Sequence, residues 1–375
     1  MRFLLVGGFA ESLLNFRGAL IDELLRKGVE VHVAAPGLDG GDVAQALRER
    51  GAVPHDIPLQ RTGMNPMADM GAFFSLWRLM ARLRPEAFLG YTIKPVVYGL
   101  LAARLAGVKR RYALITGLGY AFQERPAGFK ARLISGVARK LYRLALRCAH
   151  RVFFQNPDDE ALFRTLGLLT ARTSSEVVNG SGVDTGYFSH MPVPEGKTVF
   201  LMIARLLAAK GVREYAQAAA QLRQQHPHVS FQLAGWLDGG PDSIAAEEVA
   251  AWVDGGILEY LGRLNDVRPA LHGCTVYVLP SYREGTPRTV LEAMATGRAV
   301  ITTDAPGCRE TVIDGSNGYL IPVADSGELA AAMRRFIAAP DLARDMGERS
   351  RVIAEEKYDV HRVNAAMLHG MGIEP

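Results

Sequence analysis

The sequence predicts an α/β protein made of two doubly wound, Rossmann-like domains, each with a parallel sheet. A chain of 375 residues is too long for one ordinary core and fits two domains. Short apolar runs alternate with longer helical patterns, which is typical of a parallel sheet with helices on both faces. The alternation stops at 179–196, a stretch rich in Gly, Ser and Pro, and then starts again, so this stretch is the predicted linker.

Five strand-like runs in the first half each precede a helical pattern. The runs are RFLLV, VEVHVAA, AFLGY, RYALIT and RVFFQN. The helical patterns that follow them cover 13–27, 43–50, 95–106, 130–147 and 158–166. We expect these elements to form a first domain over residues 1–185.

Five further runs follow the linker. They are KTVFLMIAR, VSFQLAG, ILEYLG, TVYVLPS and RAVITT. The helical patterns are 212–225, 243–253, 267–272 and 287–295, then 326–338, 341–356 and 360–369. We expect a second domain over 196–357, with the C-terminal helix region 358–375 packed back on the first. Such sheets bind ligands outside the carboxyl ends of their strands, so a cleft between the domains is the expected site.

Composition and charge restrict the possible classes of protein. Hydrophobic residues make up 49% and charged residues 22% of the chain, which is globular. The three cysteines match no disulfide or zinc spacing and predict reduced thiols in the cytosol. We expect neither a signal peptide nor a membrane span. Residues 1–190 hold 25 Lys and Arg against 16 Asp and Glu, and the rest 18 against 23, an asymmetry that favours an anionic partner for one half.

Two carboxylates follow the strand-like run TVYVL. Glu284 lies in the loop and Glu292 eight residues later on the next helix, so they suit two separate sets of hydroxyls, such as those of a hexose and a ribose. Pro287 stands where a first helical residue would, and the free amides beside it favour a phosphate. The alternative is an ordinary helix start with solvated acids.

Two cations follow the run KTVFLMI. Arg205 stands at the carboxyl end of this strand and Lys210 five residues later. An Arg fork and a Lys point charge suit a diphosphate. The alternative is a pair of surface cations on a loop.

The motifs RLLAAKG, LPSYREG and LEAMATGRAV resemble glycosyltransferase family 4, retaining enzymes with the GT-B fold. The resemblance implies that Arg205 and Lys210 bind the donor diphosphate, and that Glu284 contacts the transferred sugar; these are the expected catalytic residues. It implies that Glu292 holds the ribose and that the loop and helix start touch sugar and phosphate. The expected donor-binding residues are Gly262 and Leu264 beside the nucleobase, then Gly285, Thr286, Arg288, Thr289 and Glu292.

The loops of the first half suggest the acceptor site. GGFAESLLNFR lacks the GxGxxG spacing of a dinucleotide site. Together with GYTIKPVVYG and LITGLGYAF it resembles the family members that extend lipid-linked oligosaccharides, such as the transferases that add N-acetylgalactosamine to diacetylbacillosaminyl-diphospho-undecaprenol. The expected acceptor residues are Gly8, Asn15, Arg17, Lys94 and Thr116. For Arg17 the alternative is a solvated helix residue, and the loop 116–119 lacks a histidine that many relatives carry.

A basic amphipathic stretch runs from residue 125 to 157 without an acid. Leu133, Val137, Leu141, Leu144 and Cys148 recur at helical spacing, so the helix suits an anionic membrane surface. The alternative is that this apolar stripe packs on the sheet while the cations face water. We expect a cytoplasmic protein, peripheral on the inner face of the membrane, and no nucleic acid partner, since no aromatic stacking platform is present.

The predicted reaction moves an N-acetylhexosamine from a UDP-sugar to a polyprenyl-diphosphate-linked saccharide, with retention of configuration as the resemblance implies. No DxD-type carboxylate pair stands where the donor phosphates are expected, so we expect no metal and no cofactor. Two other functions stay open, a nucleotide-sugar epimerase of the same fold and a non-catalytic nucleotide-sugar-binding subunit.

Overall fold

The structure, a computed structural model, describes residues 1–60, 65–117, 129–240 and 242–373, with the backbone alone for 129–135. The chain divides into two compact units. The first consists of Met1–Ser181 with Val363–Pro375, and the second is Gly182–Arg362.

The first unit has a parallel sheet of seven described strands in the order β3-β2-β1-β4-β5-β6-β7. The strands are β1 Arg2–Val6, β2 Glu30–Ala35, β3 Val53–Asp56, β4 Ala87–Tyr91, β5 Arg110–Ile115, β6 Arg151–Phe154 and β7 Ser174–Val177. The helices are α1 Glu11–Asn15, α2 Gly18–Arg26, α3 Asp42–Glu49, α4 Pro66–Leu83, α5 Ile93–Leu105, α6 Phe129–Leu146 and α7 Pro157–Thr165, with the C-terminal α14 Val360–Gly370.

Alternate side chains of this sheet enter two separate cores. Leu4 and Val6 lie in a core shared with α4, α5, α6 and α7. Phe3 and Leu5 lie in the other, with α1, α2, α3 and residues such as Leu368 of α14. The period-two alternation of a strand thus explains why both faces are covered.

The second unit has a parallel sheet of six described strands in the order β10-β9-β8-β11-β12-β13. The strands are β8 Val199–Ile203, β9 Ser230–Ala234, β10 Glu259–Gly262, β11 Val276–Leu279, β12 Ala299–Thr303 and β13 Gly318–Ile321. The helices are α8 Val212–Arg223, α9 Ala246–Asp254, α10 Arg268–Gly273, α11 Arg288–Ala295, α12 Ser326–Ala338 and α13 Asp341–Ile353. The fold class predicted from the sequence, α/β with two parallel-sheet domains, is confirmed.

The structure differs from the predicted elements in two respects. The pattern 13–27 is not one helix, because the chain leaves helical geometry at Phe16–Arg17 between α1 and α2. The sequence reasoning also missed α4 and the short strands β3, β7 and β13.

From Gly182 onward, the segment 179–196 belongs to the second unit. Val183 pairs with Asp359 in a single parallel bridge, and Phe188 is buried in the core of this unit. Arg351 donates to the carbonyls of Thr185 and Phe188. This segment is therefore held by side-chain hydrogen bonds as well as by apolar burial.

Among the described residues, no helix is both long enough and apolar enough to span a bilayer.

Candidate functional site

The carboxyl edge of the second sheet collects most of the predicted donor residues. β8 lies between β9 and β11, and all three run parallel. Arg205 follows the end of β8, and Glu284 lies in the loop after β11. Because parallel strands end at one edge, the loops that carry these residues are neighbours.

Lys210 and Glu284 form an ion pair across this edge. The Lys210 ammonium contacts Oε1 of Glu284, and both side chains are mostly buried. The Ser281 hydroxyl donates to the same Oε1 at 2.8 Å. Lys210 ends a 3-10 turn over Ala208–Lys210, and the Tyr282 amide donates to the Ala209 carbonyl at 2.9 Å. The strand-end cation and the loop carboxylate therefore meet at one place.

Gly211 allows the turn to approach the β11 loop closely. Its φ is +74°, and an added Cβ would lie 2.2 Å from the Pro280 carbonyl oxygen. Any other residue would clash with backbone at this point and would also adopt a left-handed conformation at a cost. The Gly after Lys210 in the motif is thus required by packing.

Arg205 makes a different contact. Its guanidinium donates to Asp238 at 2.8 Å, and both side chains are about one-third exposed. Asp238 lies in the loop after β9, which is the strand next to β8. Arg205 is thus at the same sheet edge as Lys210 but is paired with a carboxylate that the sequence reasoning did not identify.

The start of α11 is the place where the sequence predicts a phosphate. Pro287 is the N-cap residue with an extended ψ of 105°, and α11 begins at Arg288, so the prediction that Pro287 is the first helical residue was wrong. The Thr286 hydroxyl donates to the Gly285 carbonyl at 3.0 Å. The Thr289 hydroxyl is hydrogen-bonded to Tyr277, whose own hydroxyl donates to the Ile203 carbonyl. Helix amides near Thr286 and Thr289 therefore lie beside the Glu284 loop.

Glu292 is a buried carboxylate on α11. The residue is 7% exposed, and its Oε1 accepts from Nε of Arg288 at 2.9 Å. Burial raises the pKa of Glu292, while the Arg288 charge acts in the opposite direction. A carboxylate kept in this place costs stability, which is a frequent property of ligand-binding groups.

The β10 end contributes backbone to the same edge. Gly262 accepts a hydrogen bond from the Gly235 amide at 2.8 Å, and Gly262 has a φ of +67°. The Tyr260 hydroxyl donates to the Gly235 carbonyl at 2.9 Å. Leu264 is partly buried against the core. These residues border the β9 loop that carries Asp238.

The predicted acceptor residues lie in the first unit. Arg17 is at the break between α1 and α2 and is 2% exposed, so the alternative of a solvated helix residue is wrong. Its guanidinium carbon lies 5.2 Å from the Tyr91 ring centre, and the Tyr91 hydroxyl is 2.7 Å from the Ser12 hydroxyl. Burial raises the pKa of Tyr91 to about 12. Asn15, two residues away, is exposed.

Gly8 and Thr92 approach each other at the carboxyl edge of the first sheet. A Cβ on Gly8 would lie 2.7 Å from the Thr92 hydroxyl oxygen, so only glycine fits there. Thr92 has a φ of +67°, a strained conformation that costs about 1–3 kcal/mol. Its hydroxyl is buried and makes no hydrogen bond within the described chain. Thr116, partly exposed, follows β5 at the same edge, and most of the loop after it lies outside the described residues.

Lys94 is held by an acid that the sequence reasoning missed. Its ammonium is 2.7 Å from Oδ1 of Asp69 on α4, with both side chains largely buried. The Tyr98 hydroxyl donates to the other oxygen of Asp69 at 3.0 Å. Asn65 followed by Pro66 marks the start of α4, since the Asn65 side chain accepts from two helix amides, and this N-cap signal could have identified the helix that carries Asp69.

The basic helix α6 divides its predicted apolar stripe between core and solvent. Leu141 and Cys148 pack against the core, whereas Val137 and Leu144 are exposed. The Arg143 guanidinium donates to the carbonyls of Gly167 and Leu166. Part of the stripe therefore packs on the sheet, as the alternative expected, and part faces solvent; Leu133 and Arg125 lie outside the described side chains.

Among the described residues, no three His, Cys, Asp or Glu side chains come together in a group that could hold a metal ion.

A solved structure shows the same fold. The chain superimposes on HepE from Anabaena in complex with UDP with a TM-score of 0.77, covering 99% of this chain and 100% of that one at 18% identity. At this identity the similarity concerns the fold. The fold is that of the GT-B glycosyltransferases.

Sequence comparisons identify the family. Residues 187–352 match the model "Glycosyl transferases group 1", and residues 16–178 match "Glycosyl transferase 4-like domain". The chain is 32% identical over 82% of its length to the N,N'-diacetylbacillosaminyl-diphospho-undecaprenol alpha-1,3-N-acetylgalactosaminyltransferase of Campylobacter jejuni, of which 81% is covered. The chain therefore belongs to this family of glycosyltransferases and is a glycosyltransferase.

A second relative is less similar. The UDP-Gal:alpha-D-GlcNAc-diphosphoundecaprenol alpha-1,3-galactosyltransferase of Escherichia coli is 26% identical, with 74% of this chain and 73% of that protein covered. Both relatives are transferases, which favours this function over the epimerase and the non-catalytic subunit. The resemblance stated from the motifs is thus confirmed.

Proposed function

We propose that this protein transfers an N-acetylhexosamine from a UDP-sugar to a polyprenyl-diphosphate-linked saccharide, with retention of configuration. The second unit binds the donor and the first binds the acceptor. The names of the two relatives above, which include diphospho-undecaprenol substrates and in one case UDP-Gal, support both substrate classes.

The observation that carries the proposal is the meeting of Lys210 and Glu284 beside the start of α11. The ammonium of Lys210, the fork of Arg205 and the helix amides all lie at one sheet edge. Both cations are paired with carboxylates in this structure: Lys210 with Glu284, and Arg205 with Asp238. We infer that the donor diphosphate takes over these cations and that Glu284 then accepts from the sugar hydroxyls.

The chemistry required of these groups is stabilisation of a leaving group. The bond between the anomeric carbon and the diphosphate oxygen breaks, a bond from that carbon to an acceptor hydroxyl oxygen forms, and the proton of that hydroxyl passes to the departing diphosphate. Negative charge grows on the departing UDP, and positioned donors reduce its cost most where water is excluded. Loss of one such donor typically lowers turnover by about 100- to 1000-fold.

The acceptor end is proposed to be the carboxyl edge of the first sheet. Gly8 and the strained Thr92 lie next to each other at this edge. The Thr92 hydroxyl makes no hydrogen bond within the described residues. Arg17 and Lys94 bring positive charge to the same region, each already engaged, by Tyr91 and Asp69 respectively. A diphosphate with an attached saccharide fits this combination of cations and hydroxyls. Asn15 and Thr116 are proposed to contact the saccharide.

An anionic membrane surface is proposed as a further partner, reached from the inner face of the cytoplasmic membrane. Lys140 on α6 and Arg147 directly after it are exposed, as are Val137 and Leu144 of this helix. Cations next to apolar side chains suit an anionic leaflet, and each nearby cation contributes about 1 kcal/mol.

The test is a product analysis with a matched pair of lysine variants. UDP- and GDP-linked sugars are offered with polyprenyl-diphosphate saccharides, and products are identified by mass spectrometry and the anomer by NMR. We expect product from a UDP-N-acetylhexosamine alone, with Lys210→Ala lowering turnover by at least about 100-fold.

The control for this experiment is Lys109→Ala, an exposed lysine of the first unit, which should leave turnover unchanged. Near-normal turnover of Lys210→Ala in folded protein would remove Lys210 from the chemistry. Hydrolysis or epimerisation of the donor without transfer to any acceptor would contradict the proposed function.

A further inference from the structure

The outward face of α4 carries apolar side chains that the rest of the described protein leaves uncovered. Met67 is 85% exposed, Met70 56% and Phe74 45%. Arg78 and Arg82 continue the same line and are exposed as well. Spacings of three and four residues place all five on one side of the helix. We call these five residues the α4 stripe.

The apolar residues of the stripe lie nearer the N-terminus of α4, and its two arginines lie nearer the C-terminus. α4 connects β3 to β4, which run parallel to each other on either side of β1 and β2. The helix therefore runs against the strands, and its first turns are at their carboxyl edge. Met67 and Met70 are thus at the edge of the sheet that holds Gly8 and Thr92, and Arg82 is toward the opposite edge.

Three of the four helices on this face are basic, whereas the fourth, α7, carries Asp158, Asp159 and Glu160 in its first turn. The helices α4, α5 and α6 cover the same face of the sheet and share one core. By sequence they contain nine Lys and Arg and a single acid. That acid, Asp69, is buried and paired with Lys94, so it does not offset the exposed cations. Leu105 of α5 and Leu144 of α6 add exposed apolar side chains.

A groove beside the stripe is also lined by apolar and basic side chains. It has a volume of about 910 Å³, lies between β3 and α4, and is lined by Phe74, Arg78 and Arg82 together with His55. Its one carboxylate, Asp56, accepts hydrogen bonds from the amides of Gly37 and Leu38. The groove thus offers an apolar wall and two guanidinium groups, a combination that suits the phosphate and upper chain of a lipid.

We infer that the α4 stripe is a membrane-docking surface, with Met67, Met70 and Phe74 entering an anionic bilayer at the headgroup boundary and Arg78 and Arg82 contacting lipid phosphates. A protein partner would have to present an acidic surface matched to three helices, whereas an anionic bilayer presents such a surface at every point. This inference rests on the proposed lipid-linked acceptor, because a polyprenyl chain stays in the bilayer while its diphosphate reaches the carboxyl edge beside Met67.

The test is flotation with vesicles of phosphatidylethanolamine and phosphatidylglycerol, with phosphatidylcholine vesicles as the neutral comparison. We expect the wild type to float with the anionic vesicles, and less as salt is raised. Met67→Ser/Met70→Ser/Phe74→Ser should lower the bound-to-free ratio at least about tenfold. Arg78→Gln/Arg82→Gln should lower it about tenfold or more.

Matched controls change equally exposed residues elsewhere. Ile313→Ser/Val323→Ser/Val352→Ser alters three exposed apolar residues of the second unit, and Arg48→Gln/Arg172→Gln removes two exposed cations of the first. Both should float as the wild type does. Tryptophan fluorescence is an independent readout. Brominated lipids should quench the tryptophan added by Phe74→Trp and should not quench the one added by Val352→Trp.

Transfer activity in detergent separates this inference from the proposed function. The triple serine variant should keep wild-type turnover on a detergent-solubilised acceptor while it fails to float. If the wild type does not float, or if the triple serine variant floats equally well, the docking surface is refuted whatever the transfer assay gives. A wild type that self-associates through the stripe and ignores vesicles would refute it too, in favour of a protein contact. Flotation without transfer would instead count against the proposed function.

Discussion

At the scale of single residues, Glu292 illustrates how the fold accepts a cost at the site. Its carboxylate lies on a helix in the core of the second unit, with Arg288 as its cation. Burial raises its pKa above the ordinary value of 4.5, so the folded state binds a proton more readily than the unfolded state does. The charged form of Glu292 is thus less favourable in the folded chain than in the unfolded one.

This predicts a gain of stability and a loss of function for Glu292→Gln. Below about pH 4.5 the carboxyl is neutral in both states, and the penalty is absent. As pH rises through 4.5 to the raised pKa of the folded state, the penalty develops, and it is full above that pKa. Glu292→Gln should therefore melt about 1–3 °C higher at neutral pH, with no difference from wild type in acid, while UDP affinity falls.

Thermal melts over pH and titration with UDP measure the two effects. The exposed Glu195→Gln serves as control and should change neither. An unchanged UDP affinity for Glu292→Gln would separate this carboxylate from the donor site.

Sequence reasoning proposed single candidate residues more readily than the contacts between them. Arg205, Lys210, Glu284 and Glu292 stand out because their types follow a strand end or a helix start. Their partners did not stand out, since Asp238 lies 33 residues from Arg205, and no local pattern joins two loops at that separation. The burial of Arg17 was not predictable for the same reason, because its Tyr91 partner lies on β4, far away in the sequence.

At the scale of elements, strands in the middle of each sheet were predictable and several edge elements were not. β1, β4, β8 and β11 are continuous apolar runs because both of their faces are covered. β3 and β7 end the first sheet on either side, and as VPHD and SSEV they have no apolar pattern to detect. α4 escaped prediction because apolar residues occur on its exposed side as well as its buried side, which weakens the helical period.

Arg298 fixes the segment that enters the second unit. It is fully buried, and its guanidinium donates to the carbonyls of Leu271, Met191, Gly297, Pro192 and His272. Met191 and Pro192 belong to the Gly- and Pro-rich stretch, so one side chain ties this stretch to the ends of α10 and α11.

Arg298→Met should therefore lower the free energy of unfolding of the second unit by at least about 3 kcal/mol, because several buried carbonyls lose their donor. Urea unfolding followed by tryptophan fluorescence measures the change. The exposed Arg334→Met should cost less than about 0.5 kcal/mol. Equal midpoints for the two variants would mean that apolar contacts alone hold the segment.

At the scale of the whole molecule, the chain returns to its first unit after completing the second. Leu368, Met367 and Met371 of the C-terminal region are buried in the core with β1 and β2. The Tyr112 hydroxyl on β5 donates to the Met371 carbonyl at 2.6 Å. The last residues are therefore part of the first unit's interior.

Leu368→Ala should destabilise the first unit by about 2–5 kcal/mol through the cavity that it leaves. Hydrogen exchange should rise in β1, β4 and β5 and stay unchanged in β8 and β11. Val352→Ala, at an exposed position of the second unit, is the matched control. A uniform rise over both sheets would indicate that the two units unfold as one.

The late arrival of residues 363–373 has a consequence during translation. On a ribosome that adds about 5–20 residues per second, the first sheet is complete about 10–40 s before the residues that close its second core are made. In that interval the residues of the second unit, Gly182–Arg362, are made. Nascent chains should thus carry, for most of this time, an unfinished second unit beside a first unit whose second core still lacks its C-terminal residues.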